Sequence, residues 1–284
     1  MIDIKKHSLY KTMEFDDILS NVYNVYRKNF WKLFLFCFLG VFLFQFLSYQ
    51  LGFSQFQGVS DPNEMYDILM SLRGKIGILI VLNFSIYGLL NVFIVNFLIK
   101  KEFDSKLHFG NLLIDTVKKY WIHAVFFMFL SGLMVVLGMI FGVIAFIVGM
   151  FLALIYLLVV VTPGITIIVA EAKNAIEAIG RCFILVHKDF WKSVGVCVVC
   201  FLVVILLSLI LTGITSASYV FSLLSETNNS ESLMEAMQQA GGVGWGTIII
   251  NSIFSIIIYP IFPILSFVMY FNLRHKEDSL QEVV

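Results

Sequence analysis

Long runs of apolar residues dominate the chain and alternate with short polar and charged segments. A helix needs about 20 residues to cross a hydrocarbon core of roughly 30 Å. The uncharged run from Trp121 to Ala170 is too long for one crossing, but its glycines allow a tight turn between two helices. The pattern therefore predicts an all-α polytopic membrane protein with six transmembrane helices, at 30–51, 77–99, 122–142, 143–169, 194–214 and 247–271.

A short pattern of cations and aromatic residues precedes three of the apolar runs. It reads YRKNFW at 26–31, KKYW at 118–121 and HKDFW at 187–191. Apolar residues ahead of the first and third aromatic pairs recur at helical spacing. We therefore expect each repeat to be an interfacial amphipathic helix followed by a helical hairpin. Aligning the pairs gives one membrane domain, 1–284, with three pseudo-repeats at about 14–100, 104–170 and 173–273 and a tail at 274–284.

The cations and aromatic residues of this pattern suit the membrane interface. Tryptophan and tyrosine rings prefer the headgroup layer, and neighbouring Lys and Arg side chains reach towards phosphate. We interpret the pattern as an interface anchor; the alternative is a lipid-headgroup site formed by the three clusters together. The candidate anchors are Arg27, Lys28, Phe30, Trp31, Lys118, Lys119, Tyr120, Trp121, Lys188, Phe190, Trp191 and Lys192.

Two loops between predicted spans carry signals for short helices. The segment 60–74 has Pro62 where a helix can start and Gly74 where it can stop, and 229–242 ends on similar glycines. These loops also hold the acidic residues of their side of the membrane. We expect short surface helices there, and we interpret the acidic side chains as solvated loop surface, with a bound cation as the alternative.

Composition agrees with a membrane protein, and the placement of charge predicts its orientation. Of the 284 residues, 60% are hydrophobic and 13% are charged, against about a quarter charged in soluble domains; mean hydropathy is +0.92. The 19 cations balance 19 anions, so no nucleic-acid partner is expected. All cations except Arg73 and Lys75 fall on the side of the N terminus. We expect a multi-pass protein of a bacterial inner membrane with both termini cytoplasmic and no cleaved signal peptide.

Candidate chemistry within the spans is sparse. Cys197 and Cys200 form a CxxC inside an apolar run, which favours packing over redox or zinc chemistry. His123 is predicted near the headgroups, and no ionisable residue is predicted at mid-membrane. We therefore expect no catalytic residue, no cofactor and no metal. Mild polar groups and helix-breaking prolines make up a candidate intramembrane polar site, with bonding between helices favoured over a solute path: Asn83, Tyr87, Asn91, Asn251, Pro260 and Pro263.

Three stretches carry a family resemblance. They read FDDILSNVYNVYRKNFW from Phe15, TPGITIIVAEAKNAIEAIGRCFILVHKDFWKSVGV from Thr162 and VMYFNLRHKEDSLQ from Val268. Together they resemble the membrane domain of glycerophosphodiester phosphodiesterases. In that family's enzymes a soluble catalytic barrel follows the membrane domain, and this sequence ends soon after its last predicted span. The resemblance thus implies a stand-alone membrane module of six spans, to which no catalytic residue is carried over.

These observations favour a non-enzymatic function. We expect a scaffold or accessory protein of envelope and lipid organisation, with membrane lipids and other membrane or cytoplasmic proteins as partners. The alternative is a transporter or lipid-handling protein with a site between the repeats. A polar cavity that reaches mid-membrane would favour the alternative, and a dry interior packed with Leu and Phe would count against it.

Overall fold

The computed structural model describes residues 4–53, 61–104, 108–144, 146–226 and 245–282. Regular structure in these ranges is helical, and six of the helical segments are long and apolar enough to cross a membrane. The prediction of an all-α protein with six apolar spans is therefore confirmed at the level of helix length and composition. The α-helices are α1 (Phe15–Gln50), α2 (Pro62–Phe103), α3 (Phe109–Thr116), α4 (Ile122–Ile144), α5 (Phe146–Val161), α6 (Gly164–Ala170), α7 (Ala175–Val186), α8 (Phe190–Glu226), α9 (Trp245–Ile258) and α10 (Ile261–Gln281).

The chain divides into two compact units. Unit 1 holds 1–33, 87–202 and 259–284, and unit 2 holds 34–86 and 203–258. In unit 1, residues 92–99 of α2, 164–169 of α6 and 263–273 of α10 are buried. Each apolar side chain removed from water contributes about 1.5 to 3 kcal/mol relative to an exposed one, although lipid reduces this gain wherever it is the alternative surrounding.

Polar pairs bridge the enclosed helices of unit 1. The Thr166 and Ser266 hydroxyls lie 2.9 Å apart between α6 and α10. The Asn96 amide of α2 donates to the Thr116 hydroxyl of α3 at 2.8 Å. Hydrogen bonds between membrane helices average about 0.6 kcal/mol and reach about 2 kcal/mol. These pairs therefore fix which faces of the helices meet more than they add stability.

The hairpin of α4 and α5 depends on glycine. A Cβ added at Gly142 would lie 2.6 Å from the Met150 Cα, and one added at Gly138 would lie 2.3 Å from a methyl group of Leu157. Only a residue without a side chain allows so close an approach at Gly142, because the obstructing atoms are backbone. The predicted division of the long uncharged run into two helices is confirmed, although Ala145, which joins them, lies outside the described residues.

Two prolines end helices where the sequence predicts breaks. The chain turns at Thr162 and Pro163 between α5 and α6, and at Tyr259 and Pro260 between α9 and α10. Proline lacks the backbone N–H that would continue a helix, but it is well suited to the start of the next one. Pro263 lies buried in the first turn of α10.

Unit 2 presents a broad apolar surface. Along its part of α1, Phe34, Phe38 and Phe42 stack at one-turn intervals, with centroid separations of 6.5 and 5.6 Å. Leu39 and Leu43 on another face are exposed. A surface this apolar suits contact with lipid tails, and in water it would favour association.

Two predicted details of the helices are wrong. The first interfacial helix does not turn at Phe30, because α1 runs unbroken for 36 residues. The expected short helix at 60–74 is the beginning of α2, which starts at Pro62 as predicted but continues through Gly74 to Phe103. A helical glycine without close neighbours costs only about 1 kcal/mol, so Gly74 alone does not end the helix. The second expected surface helix, 229–242, lies outside the described residues.

Candidate functional site

The three cation and aromatic clusters have three different backbone conformations. Phe30 and Trp31 lie within unbroken α1. Tyr120 and Trp121 close a π-helical turn, Val117–Trp121, between α3 and α4. Phe190 and Trp191 begin α8 directly after a 3-10 turn, His187–Asp189. The α-helix is thus interrupted by a π-turn at the second cluster and by a 3-10 turn at the third, but not at the first. The interfacial position of the helices ahead of the clusters stays a prediction.

The first and third aromatic pairs nevertheless have nearly the same geometry. The Phe30 and Trp31 centroids are 5.3 Å apart at 75°, and those of Phe190 and Trp191 are 5.5 Å apart at 68°. The phenylalanine is half-buried in each pair, whereas Trp31 is 77% exposed and Trp191 is 80% exposed. Edge-to-face packing thus holds each indole outward from unit 1. Tyr120 and Trp121 of the second cluster are both half-buried.

The cations of the three clusters do not converge on one site. Lys119 lines one cavity and Lys28 lines another. Lys192 donates to the Met13 carbonyl at 3.2 Å and pairs with Asp189 at 3.5 Å. Lys119 and Lys28 thus line different cavities, and the alternative of a single lipid-headgroup site built from all three clusters stays a prediction. The other cations of the clusters, Arg27, Lys118 and Lys188, are exposed.

A set of mutually paired charges joins α6, α7 and α10, and we call it the neutral network. Its centre is Arg181, whose Nε lies 3.1 Å from Glu171 and whose Nη1 and Nη2 lie 2.7 and 2.5 Å from the two oxygens of Glu277. Glu277 is 6% exposed. The planar guanidinium can hold two carboxylates at once because its donors point in fixed directions. Tyr270 donates a further hydrogen bond to Glu171 at 3.2 Å.

The neutral network continues to the N-terminal segment. Arg274 contacts Glu277 and lies 3.1 Å from Asp278. Asp278 also pairs with Lys5 at 2.8 Å and accepts the Tyr10 hydroxyl at 2.5 Å. Burial, followed by this contact with Asp278, raises the pKa of Tyr10, which keeps it a proton donor. Three cations (Lys5, Arg181, Arg274) and three carboxylates (Glu171, Glu277, Asp278) therefore offset one another.

The N-terminal strap, residues 4–13, runs from the end of α2 to α10. At the α2 end, the Ser8 N–H donates to Glu102 at 2.7 Å and His7 Nε2 lies 2.8 Å from the same carboxylate. At the α10 end, the Met13 N–H donates to Asn272 at 2.9 Å. These contacts fix the strap at both ends, so the ends of α2 and α10 are held together by more than their own packing.

His7 is buried within the strap and is held in one tautomer. The Leu9 N–H donates to its Nδ1 at 3.1 Å, so the ring proton is on Nε2, facing Glu102. The ring stacks on Phe271 with a centroid separation of 4.4 Å. Burial lowers the pKa of His7 and outweighs the opposing effect of Glu102. The neutral imidazole is the form that these contacts favour.

A cavity of about 410 Å³ in unit 1 is lined by more lysines than there are carboxylates paired with them, and we call it the basic cavity. Lys100 at the end of α2 and Lys119 of the π-turn both contact Asp115, Lys119 at 2.7 Å. The third lysine, Lys173, has only Glu177 at 3.8 Å, and both side chains are partly exposed. The polar residues that line the basic cavity are Asn96, Lys100, Lys119, Tyr120, His123 and Lys173, and apolar side chains complete the lining.

A second cavity is lined by Lys101, the residue of α2 that follows Lys100. Its volume is about 450 Å³, and Lys28, Asn29, Lys101 and Glu102 are among its lining residues. The Lys101 ammonium contacts the Asn29 side chain and lies 5.8 Å from the Phe97 ring centroid. It also experiences repulsion from Lys32 and Lys28. Glu102 contacts His7 and Ser8, which also line this cavity.

The candidate intramembrane polar residues divide between the two units. In unit 1 the Tyr259 hydroxyl donates to the Tyr87 carbonyl at 3.1 Å, and the Asn91 amide lies 3.6 Å from the Met128 sulfur. These contacts bind helix to helix. Asn83 is half-buried in unit 2. The Asn251 side chain lies outside the described part of the chain.

Several residues of the site were missed from the sequence. Glu171, Arg181 and Glu277 are separated by up to 106 positions, so no local spacing indicates that they pair. A usable signal existed: two of the stretches that carry the family resemblance, from Thr162 and from Val268, contain all three residues. In the structure these stretches contact each other through the neutral network.

Comparison with known proteins adds no relative to this description. No protein-family model, no curated protein and no solved structure matches the chain. The resemblance to the phosphodiesterase membrane domain therefore stays a prediction. Among the described residues, no group of three or more His, Cys, Asp or Glu side chains is arranged to hold a metal ion. All four cysteines are buried as free thiols.

Proposed function

We propose that this protein is a non-enzymatic scaffold or accessory protein of a bacterial inner membrane that takes part in envelope and lipid organisation. Both termini are cytoplasmic in this proposal, since the cations cluster on the side of the N terminus. The three pseudo-repeats act as three membrane anchors. Its partners are membrane lipids and other membrane or cytoplasmic proteins.

One observation carries the proposal: the charges of the neutral network satisfy one another. Arg181 uses its Nε, Nη1 and Nη2 on two carboxylates, and Asp278 binds Lys5, Tyr10 and Arg274. A catalytic acid or base needs an open position facing its substrate and a pKa suited to proton transfer. Groups held this tightly instead fix the positions of helices, as a scaffold requires.

The exposed tryptophans support the anchoring role. Trp31 and Trp191 project from unit 1 with the same ring geometry although their backbones differ. An indole at the surface of a membrane protein is favoured at the headgroup layer. Exposed Lys28 and Lys188, each three residues before its tryptophan, complete the pairing of cation and aromatic ring.

A flux measurement tests the scaffold proposal. Liposomes containing the purified full-length chain are loaded with ions, amino acids or phosphate compounds, and release is compared with that from empty liposomes. We expect the same retention with and without protein. Faster release of a defined solute than from empty liposomes would contradict the proposal and favour a transporter.

The second candidate is a lipid-handling protein with a site between the repeats, and the basic cavity favours it. Asn96 and Lys100 come from the first predicted repeat, Lys119 and His123 from the second, and Lys173 from the beginning of the third. A flux assay that reports labelled phospholipid crossing between leaflets distinguishes this candidate, because a scaffold leaves that rate at the value of protein-free liposomes.

A further inference from the structure

We propose that the basic cavity binds a phosphate ester, and that an anionic phospholipid headgroup supplies it. The inference deepens the proposed function and rests on it, since the protein must lie at a lipid surface. The first observation is its charge. Lys100 and Lys119 share the single carboxylate of Asp115, so one positive charge is left over, and Lys173 has only a long contact to Glu177.

The charge of the basic cavity contrasts with the charge balance of the neutral network. In the neutral network each cation directly contacts a carboxylate within 3.1 Å. Bringing like charges together without a counterion is unfavourable, more so when they are partly desolvated. Lys100 is 26% exposed, so its charge is only partly screened by water. A bound anion would remove this repulsion, and a phosphate ester carries the one or two negative charges needed.

The lysines of the cavity lie at the ends of apolar helices. Lys100 is near the end of α2, Lys119 lies directly ahead of α4 and Lys173 follows the last residue of α6 by three positions. Each lysine is therefore at a boundary of an apolar span, where headgroups meet water. Apolar residues Ile99 and Val169 line the same cavity. These residues give the glycerol backbone and upper chains of a lipid an apolar wall to contact. Free phosphate has no apolar part that needs such a wall.

Two irregular backbone segments face this cavity. Lys119 and Tyr120 belong to the π-turn, and Ala172 is a non-glycine residue with φ of 54°. A π-turn is rare and a left-handed alanine costs about 1 to 2 kcal/mol. Such conformations are enriched at binding sites because they direct side chains that a regular helix cannot. Here they direct Lys119 and Lys173 into one cavity.

The test measures lipid binding to the purified full-length protein with matched charge changes. Lys119→Gln with Lys173→Gln removes two lysines of the cavity. The control, Lys11→Gln with Lys32→Gln, removes the same charge from exposed positions outside the cavity lining. Binding is followed by native mass spectrometry in detergent and by titrating phosphatidylglycerol into phosphatidylcholine nanodiscs. Melting temperatures of both variants, measured without anionic lipid, establish that they are folded.

We expect the cavity variant to bind phosphatidylglycerol about 25-fold more weakly, at about fivefold for each lysine. The control variant should lose less than about fivefold in affinity, which is half of the expected loss on a logarithmic scale. Equal losses in the two variants, or no loss in either, would overturn the site. Asp115→Asn provides an opposite change: removing the carboxylate should tighten binding about fivefold, and unchanged or weaker binding would count against the proposal.

Competition identifies the source of the phosphate ester. If the site takes a lipid headgroup, sn-glycerol 3-phosphate at millimolar concentration does not displace phosphatidylglycerol. If it takes a soluble ester, glycerol phosphate binds with the same dependence on Lys119 and Lys173. Either result supports a phosphate site, and absence of binding by both probes refutes it. Because solute flux is measured separately, failure of this inference leaves the scaffold proposal intact.

Discussion

The neutral network and the basic cavity lie on either side of a single residue and differ in net charge. The network is neutral, whereas the cavity carries an excess of positive charge. Glu171 belongs to the network, Lys173 belongs to the cavity, and Ala172 between them has a left-handed backbone. The network pairs its cations and carboxylates completely, whereas the cavity keeps more cations than carboxylates. The difference teaches that complete pairing marks a structural role, and that retained excess charge marks a place for a ligand.

Loss of the central cation should have the largest effect on stability. Arg181→Ala leaves Glu171 and Glu277 facing each other while Glu277 is 6% exposed. We expect the free energy of unfolding to fall by about 3 kcal/mol, because Glu171 and buried Glu277 both lose the guanidinium they share, although Arg274 still contacts Glu277. Thermal unfolding in detergent measures the effect. Arg27→Ala, at an exposed position, is the control and should change little; equal losses would show that the network is not structural.

The pH dependence of His7 should be the next largest effect. Its pKa is lowered in the folded protein from an unfolded value of about 6.5. Above that value both states are neutral. As the pH falls below it, the unfolded state takes up a proton first, so stability falls by at most about 1.4 kcal/mol per pH unit until the folded pKa is reached.

Unfolding measured between pH 7.5 and 5 checks this prediction. Glu102, Lys28 and Lys101 are the charged groups of α2 and α1 that line the same cavity as His7. His7→Phe keeps the aromatic stack on Phe271 and removes the titrating group, and it should flatten the slope. His108→Phe is the control outside the strap. A wild-type protein that becomes more stable on acidification through this range would contradict the assigned neutral tautomer.

A smaller gain in stability is expected at the residue between the two regions. Ala172→Gly relieves a left-handed conformation that costs about 1 to 2 kcal/mol, but the unfolded chain gains about 0.4 to 1 kcal/mol of freedom. We expect a net stabilisation of about 0.5 to 1 kcal/mol, seen as a higher melting temperature. Ala175→Gly, in the regular helix α7, should instead destabilise. If Ala172→Gly lowered the melting temperature as much as Ala175→Gly, the proposed strain at Ala172 would be refuted.

The smallest effect should come from the cavity lysines. Lys119→Gln with Lys173→Gln should leave the melting temperature without lipid unchanged, because exposed ion pairs contribute little to stability. With phosphatidylglycerol present, the wild type should gain stability that the variant lacks, since a ligand stabilises the state it binds. If the melting temperature of this variant fell strongly without lipid, the cavity lysines would also be structural, and the distinction between the neutral network and the basic cavity would be lost.

Much of the fold follows from the sequence because membrane crossing depends on length and apolarity alone. The six spans, the glycine hairpin of α4 and α5 and the breaks at Pro163 and Pro260 were all predictable from local residues. The continuity of α1 was not. An amphipathic segment has the same periodicity whether it lies flat on a membrane or extends a span. The pattern before Phe30 therefore did not distinguish these two arrangements.

The candidate site was predictable only in part. Lys119 and Lys28 were identified as interface residues, but the cavities they line depend on partners far along the chain, such as Lys173 and Lys101. The pairing of Arg181 with Glu277 spans 96 positions, and periodicity does not encode such contacts. The π-turn at Val117–Trp121 has no sequence signature comparable to a proline or glycine break.

Lys100 and Lys101 are consecutive residues of α2 with different neighbours. Lys100 contacts Asp115 at the basic cavity, and Lys101 contacts Asn29 at the second cavity. Consecutive helical residues point about 100° apart, so one rigid turn forms part of both walls. Any twist of that turn that widens one recess must also move the ammonium group in the other. The two cavities therefore share one turn of α2 backbone as a common wall.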